Sequence, residues 1–221
     1  MIDRRTLIRG AAIAPFIGHA ALSGAAQAAV VSNDHGCIDA NGVRVRGGVG
    51  LPVSVPGVRV DYLWLRMEDG VELAASLYRP ARHRRRLPGI FKMGPYRKDD
   101  GNLGQVIRQN GLLARAGYAA IRVDVRGTGS SRGIATDEYT RIEHDDAVAV
   151  IEWLARQPWC TGRIGMYGKS YEGFNTIQVA MRQPPSLKAI VPGYATDDRY
   201  TDDVHYLGGQ LQVLENSWAI N

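Results

Sequence analysis

RIGMYGKSYEG (residues 163–173) is the stretch that decides the fold. RIGMY (163–167) reads as a short apolar strand, and the segment from about Tyr171 to Arg182, stopped by Pro184-Pro185, reads as a helix. Between them Gly168-Lys169-Ser170-Tyr171-Glu172-Gly173 must turn sharply from strand to helix. A serine on such a turn is lifted above the sheet edge, and glycines tolerate the crowded backbone. The pattern is a nucleophile elbow whose second glycine stands one place later than in G-x-S-x-G, with Glu172 between. The rival is a phosphate loop, since Gly168-Lys169-Ser170 ends like G-x-x-x-x-G-K-S. That motif needs glycine where this chain has Arg163, and the strand leaves no room for it.

Upstream, 58–67 (VRVDYLWLRM) and 71–78 (VELAASLY) read as strands joined by Glu68-Asp69-Gly70, a hairpin signal. PGIFKMG (88–94), a helix from Asn102 to Ala116 stopped by Gly117, and the strand YAAIRVDV (118–125) follow. A helix over about 143–157 carries Glu143, Asp145 and Asp146 in its expected first turn and Arg156 in its last, and Pro158 ends it. LKAIVP (187–192) is the last expected strand. Short apolar strands alternating with amphipathic helices imply an α/β fold, a mostly parallel sheet entered through an antiparallel hairpin, which is how the α/β-hydrolase sheet begins. Residues 29–57 show no sustained period and read as an extended lead-in, with regular structure starting near Val58. Trp153 and Trp159 read as packing residues.

Taken together, LYRP (77–80), GPYRK (94–98), DVRGTGSSRG (124–133), IEWLARQPWCTGRIGMYGKSYEG (151–173) and LKAIVPGYATDDRYTDDVHYLGG (187–209) resemble the family of X-Pro dipeptidyl-peptidases, cocaine esterase and α-amino-acid ester hydrolases. The motifs occur in that family's order from Val58 onward, and its elbow is similar, G-x-S-Y-x-G or G-x-S-W-x-G. The resemblance implies an ester or amide hydrolase, with an acyl ester or short X-Pro-type peptide as substrate. It implies Ser170 as nucleophile, with Tyr96 and the backbone N–H of Tyr171 as donors to the oxyanion. A tyrosine that anchors a turn is the plainer role for Tyr96.

The triad order on this fold is Ser, then Asp or Glu, then His. His205 is the one histidine after Ser170; the resemblance puts acid and base beyond further strands, so neither is assigned here. His144 reads as capping or solvated. The expectation is therefore an N-terminal portion of the hydrolase domain (58–196) and the start of a cap insertion (197–221), truncated before the last strands. The 221-residue fragment should then be inactive alone. A non-catalytic hydrolase-fold binding protein is the alternative. Asp197, Asp198, Asp202 and Asp203 surround an expected helix start near Thr201 and read as solvent-facing caps, with attraction of a substrate ammonium as the competing role.

Several classes are excluded. With 45% hydrophobic and 22% charged residues, the chain fits a globular domain and neither a disordered nor a membrane protein. Residues 1–28 have a basic head, an apolar middle and a small-x-small end at Ala26-Gln27-Ala28, an export signal removed on the way to the periplasm or medium. Arg4-Arg5 fits the twin-arginine route, although Asp3 stands where that pattern usually has Ser or Thr, and an ordinary secretory signal is the alternative. Cleavage removes two of the five net positive charges, and Arg82, Arg84, Arg85 and Arg86 supply most of the rest in one solvated turn, so no nucleic-acid partner is indicated. The glycine-rich stretch 124–133 lacks the helix a dinucleotide site requires, and no C-x-x-C, H-E-x-x-H or histidine cluster points to a metal. No cofactor is expected. Cys37 and Cys160 read as unpaired thiols.

Overall fold

The computed structural model describes residues 37–38, 44–47, 53–100, 103–203 and 205–212. The expected export signal, most of the lead-in and residues 213–221 lie outside these. Strands β1 (Cys37–Ile38), β2 (Arg44–Gly47), β3 (Val58–Arg66), β4 (Glu72–Pro80), β5 (Leu87–Gly94), β6 (Ala119–Asp124), β7 (Cys160–Lys169) and β8 (Leu187–Gly193) form one sheet in the order β1-β2-β3-β4-β6-β5-β7-β8. β6, β5, β7 and β8 run parallel, and β4, β3, β2 and β1 extend the sheet antiparallel.

The hairpin closes as its sequence requires. Gly70 takes φ 86°, and the Asp69 carboxylate accepts from the Val71 N–H at 3.0 Å. The parallel strands are joined through helices α1 (Leu103–Arg115), α2 (Arg141–Arg156) and α3 (Tyr171–Met181), because parallel neighbours need a crossover. Period-two alternation along β6 assigns the faces: Ala119, Ile121 and Val123 join the large core with Val150, Ile151 and Leu154 of α2, whereas Ala120 packs with Tyr78 and Ala114 of α1. β8 lies at the sheet edge with Val191 exposed, beside an open apolar groove of about 450 Å³ lined by Ile90, Leu113, Tyr167 and Val191.

Four expectations are corrected. The lead-in contains β1 and β2, so regular structure begins before Val58; strands this short carry no readable period. α2 starts at Arg141, because the Thr140 hydroxyl caps it by accepting from the Glu143 N–H, which moves Asp145 and Asp146 into the second turn. β7 runs from Cys160 to Lys169, five residues longer than the expected RIGMY, and starts at the buried, free Cys160. No helix begins near Thr201 among the described residues. Asp198 instead accepts from the N–H groups of Tyr200 and Thr201, making a turn, and Gly208-Gly209 closes a small hairpin of β9 (Tyr206–Leu207) and β10 (Gln210–Leu211).

Candidate active site

Ser170 sits at the carboxyl end of β7 with φ 59° and ψ −125°, a conformation unfavourable for a residue with a Cβ. The surroundings hold it there. Its N–H donates to Gly193 O at 2.9 Å, and its carbonyl accepts from Gly173 N–H at 2.7 Å and Phe174 N–H at 3.0 Å. The spacing of the glycines follows from packing. A Cβ on Gly168 would lie 2.1 Å from the carbonyl oxygen of Glu172, and one on Gly173 would lie 2.4 Å from that of Gly193. The displaced second glycine is thus required where α3 crosses β8.

The loop after β5 brings Tyr96, half-buried, to hydrogen-bonding reach of the Ser170 side chain. Burial raises the phenol's pKa against the opposing effect of that hydrogen bond, so the group stays protonated and able to donate. The loop is tethered by Lys98 N–H, which donates to the Asp124 carboxylate at 2.6 Å. Asp124 also accepts from Ser130 N–H at 3.1 Å, and Ser131 Oγ donates to Asp124 O at 2.7 Å, so the glycine-rich stretch wraps the end of β6 as structure.

Tyr171 follows the elbow serine and is buried. Its phenol donates to Glu143 Oε2 at 2.8 Å; its ring stacks on Tyr139 at 4.2 Å and stands edge-on to Tyr96 at 6.3 Å. Tyr139, at φ 55°, donates its N–H to the same Glu143 oxygen at 3.2 Å.

The sequence and the fold have relatives among known hydrolases. The model of the X-Pro dipeptidyl-peptidase (S15) family matches residues 69–220. The chain belongs to that family. Over 150 residues it is 37% identical to the cocaine esterase of Rhodococcus sp., which covers 66% of this chain and 25% of the esterase. A CocE/NonD family hydrolase from Staphylococcus aureus superposes with TM-score 0.55 at 25% identity, over 68% of this chain and 33% of that one. An α-amino acid ester hydrolase shares the fold with TM-score 0.63 at 23% identity, over 77% and 31% of the two chains. The chain spans between a quarter and a third of the length of such relatives. The fold is that of the α/β-hydrolases.

Within this fold the residue after Tyr171 is also fixed. Glu172 is buried and pairs with Arg122 of β6 and, at 2.7 Å, with Lys92 of β5. Gly94 makes room for it, since a Cβ there would fall 2.5 Å from Glu172 Cγ.

Beyond β8, Arg199 lays its guanidinium over Tyr139 at 4.9 Å and Phe174 at 4.8 Å, and bonds Asp203 at 3.0 Å and Glu138 at 3.3 Å. The Asp203 side chain is 1% exposed and lies 2.6 Å from His205 Nδ1, so this member of the acidic cluster is buried against two partners where a solvent-facing cap was expected. His144 is bonded to Gln178 at 2.9 Å. Among the described residues no group of three or more metal-ligating side chains converges.

Sequence reasoning missed Glu143, Tyr139, Glu172 and Arg199. Thr140-x-x-Glu143 is a capping-box signal that pointed to Glu143; the others meet their partners only across the fold. Burial raises the Glu143 pKa from 4.5 to about 7. The folded chain therefore keeps a proton that the unfolded chain gives up, and stability is expected to fall as pH rises from about 4.5 to about 7. In Glu143→Gln this part of the decline should vanish from urea midpoints measured across that range.

Proposed function

We propose that this chain carries the nucleophile and the oxyanion donors of an exported serine hydrolase that cleaves an ester or an amide of the X-Pro type. The strained backbone of Ser170, held between Gly193 and Phe174 with the Tyr96 phenol beside its hydroxyl, supports the reading best. Ser170 Oγ loses its proton to a histidine base and bonds the substrate carbonyl carbon. The carbonyl oxygen becomes an oxyanion facing the Tyr96 O–H and the Tyr171 N–H. Collapse breaks the bond to the alcohol or amine, which leaves with the proton, and water then releases the acid from the acyl-enzyme. The acid and histidine of the triad are assigned to none of the described residues.

Ester turnover by the full-length protein tests this. Ser170→Ala should reduce hydrolysis of p-nitrophenyl esters to background, and Tyr96→Phe should lower kcat by about 10²-fold with little change in KM. A Tyr96→Phe effect confined to KM would assign the phenol to substrate positioning instead.

A further inference from the structure

Glu143 is a buried carboxylate that the proposed chemistry does not use. At 1% exposure, its Oε2 accepts from the Tyr171 phenol and the Tyr139 N–H, while its Oε1 has no hydrogen-bond partner among the described residues. An acid so expensive to bury requires a reason beyond capping α2, since an exposed side chain caps a helix equally well. The groups facing it come from three directions. Tyr171 belongs to α3, and Tyr139 and Glu138 to the loop before α2; Asp146 lies on its own helix, engaged by Arg126 at 2.7 Å. What it grips is the side chain of the residue whose backbone N–H faces the developing oxyanion, and the ring on that side chain touches both Tyr139 and Tyr96.

We propose that Glu143 is a positioning residue of the oxyanion site: by anchoring the Tyr171 phenol and the Tyr139 N–H it fixes the peptide that follows Ser170. This rests on the nucleophile assignment made above. A misplacement of the Tyr171 N–H by a fraction of an ångström weakens its hydrogen bond in the transition state and leaves ground-state binding alone.

The test follows amide resonances of the 15N-labelled full-length protein, with no turnover required. In the wild type, the amides of Tyr139 and Tyr171 should both shift with pH around a midpoint near 7, set by Glu143. Glu143→Gln should flatten both. In Tyr171→Phe the Tyr139 amide should still titrate, while the amide at position 171 no longer follows it. In kinetics, Glu143→Leu should lower kcat by about tenfold or more with KM within about twofold. A Tyr171 amide that ignores pH while that of Tyr139 titrates, or one that titrates equally in Tyr171→Phe, overturns the proposal. Ser170 labelling by a fluorophosphonate is independent of these shifts, so failure of the nucleophile assignment is read separately from failure of the Glu143 contact.

Discussion

Gly168→Ala is expected to cost more than about 3 kcal/mol of folding stability, although it adds a single methyl group. The new Cβ would stand 2.1 Å from the carbonyl oxygen of Glu172 and 2.2 Å from its carbon, and both are backbone atoms of α3. A flexible side chain could swing away from such a contact; this backbone is pinned, because Ser170 O already holds the N–H groups of Gly173 and Phe174. Relief demands that α3 move off β7, which uncovers Phe174 and Val179. Gly104→Ala is the control. It lies in α1 with nothing within 4 Å of an added Cβ, so alanine there should stabilise by about 0.5–1 kcal/mol through helix propensity. Urea unfolding of the two variants should shift the midpoint in opposite directions, and a neutral Gly168→Ala would contradict the turn described here.

The second large effect concerns the charges beneath the elbow. The Arg122 and Glu172 side chains are each 4% exposed, and Lys92 is 16% exposed. Charges taken this far out of water are held by each other, so removing one strands the rest. Glu172→Ala should cost about 3–5 kcal/mol, because it leaves two cations with no carboxylate between them. Replacing Arg122 and Glu172 together by methionine should cost less than the single change, since one stranded cation, Lys92, then remains instead of two. Burial already lowers the Lys92 pKa against the pull of Glu172, which is the direction expected of an ammonium whose carboxylate is its main support. Equal losses for the single and double variants would mean that packing, and not charge, dominates at this position.

How far these features could be read in advance depended on how local their causes are. The elbow, the hairpin and the three helices were legible because glycine, proline and a period of 3.6 mark them within a few residues of chain. β7 was read too short because Thr161-Gly162 and Gly168-Lys169 look like breakers. Their backbone is nevertheless strand, running beside β5 from Cys160 and beside β8 as far as Lys169. β1 and β2 gave no signal, since two and four residues cannot show a pattern. Within the site, Ser170 carried a motif, and Tyr96 was singled out by the family resemblance alone. Glu172 looked like an interruption of a glycine pattern, and only Arg122 and Lys92, fifty and eighty residues upstream, explain it. Asp203 was read as a solvent-facing cap and Arg199 carried no signal, because the stacking partner Tyr139 and the salt-bridge partner Glu138 of Arg199 lie about sixty residues earlier. The resemblance supplied the roles that spacing alone left open, and the S15 match is consistent with it over residues 69–220.

The central claim is that Ser170 is the nucleophile. Its most direct measurement is mass-spectrometric mapping of the full-length protein after reaction with a fluorophosphonate, which phosphonylates an activated serine and releases fluoride. One adduct is expected, on the peptide containing Ser170, and it should disappear in Ser170→Ala. An adduct on another serine, or undiminished labelling of the alanine variant, would contradict it.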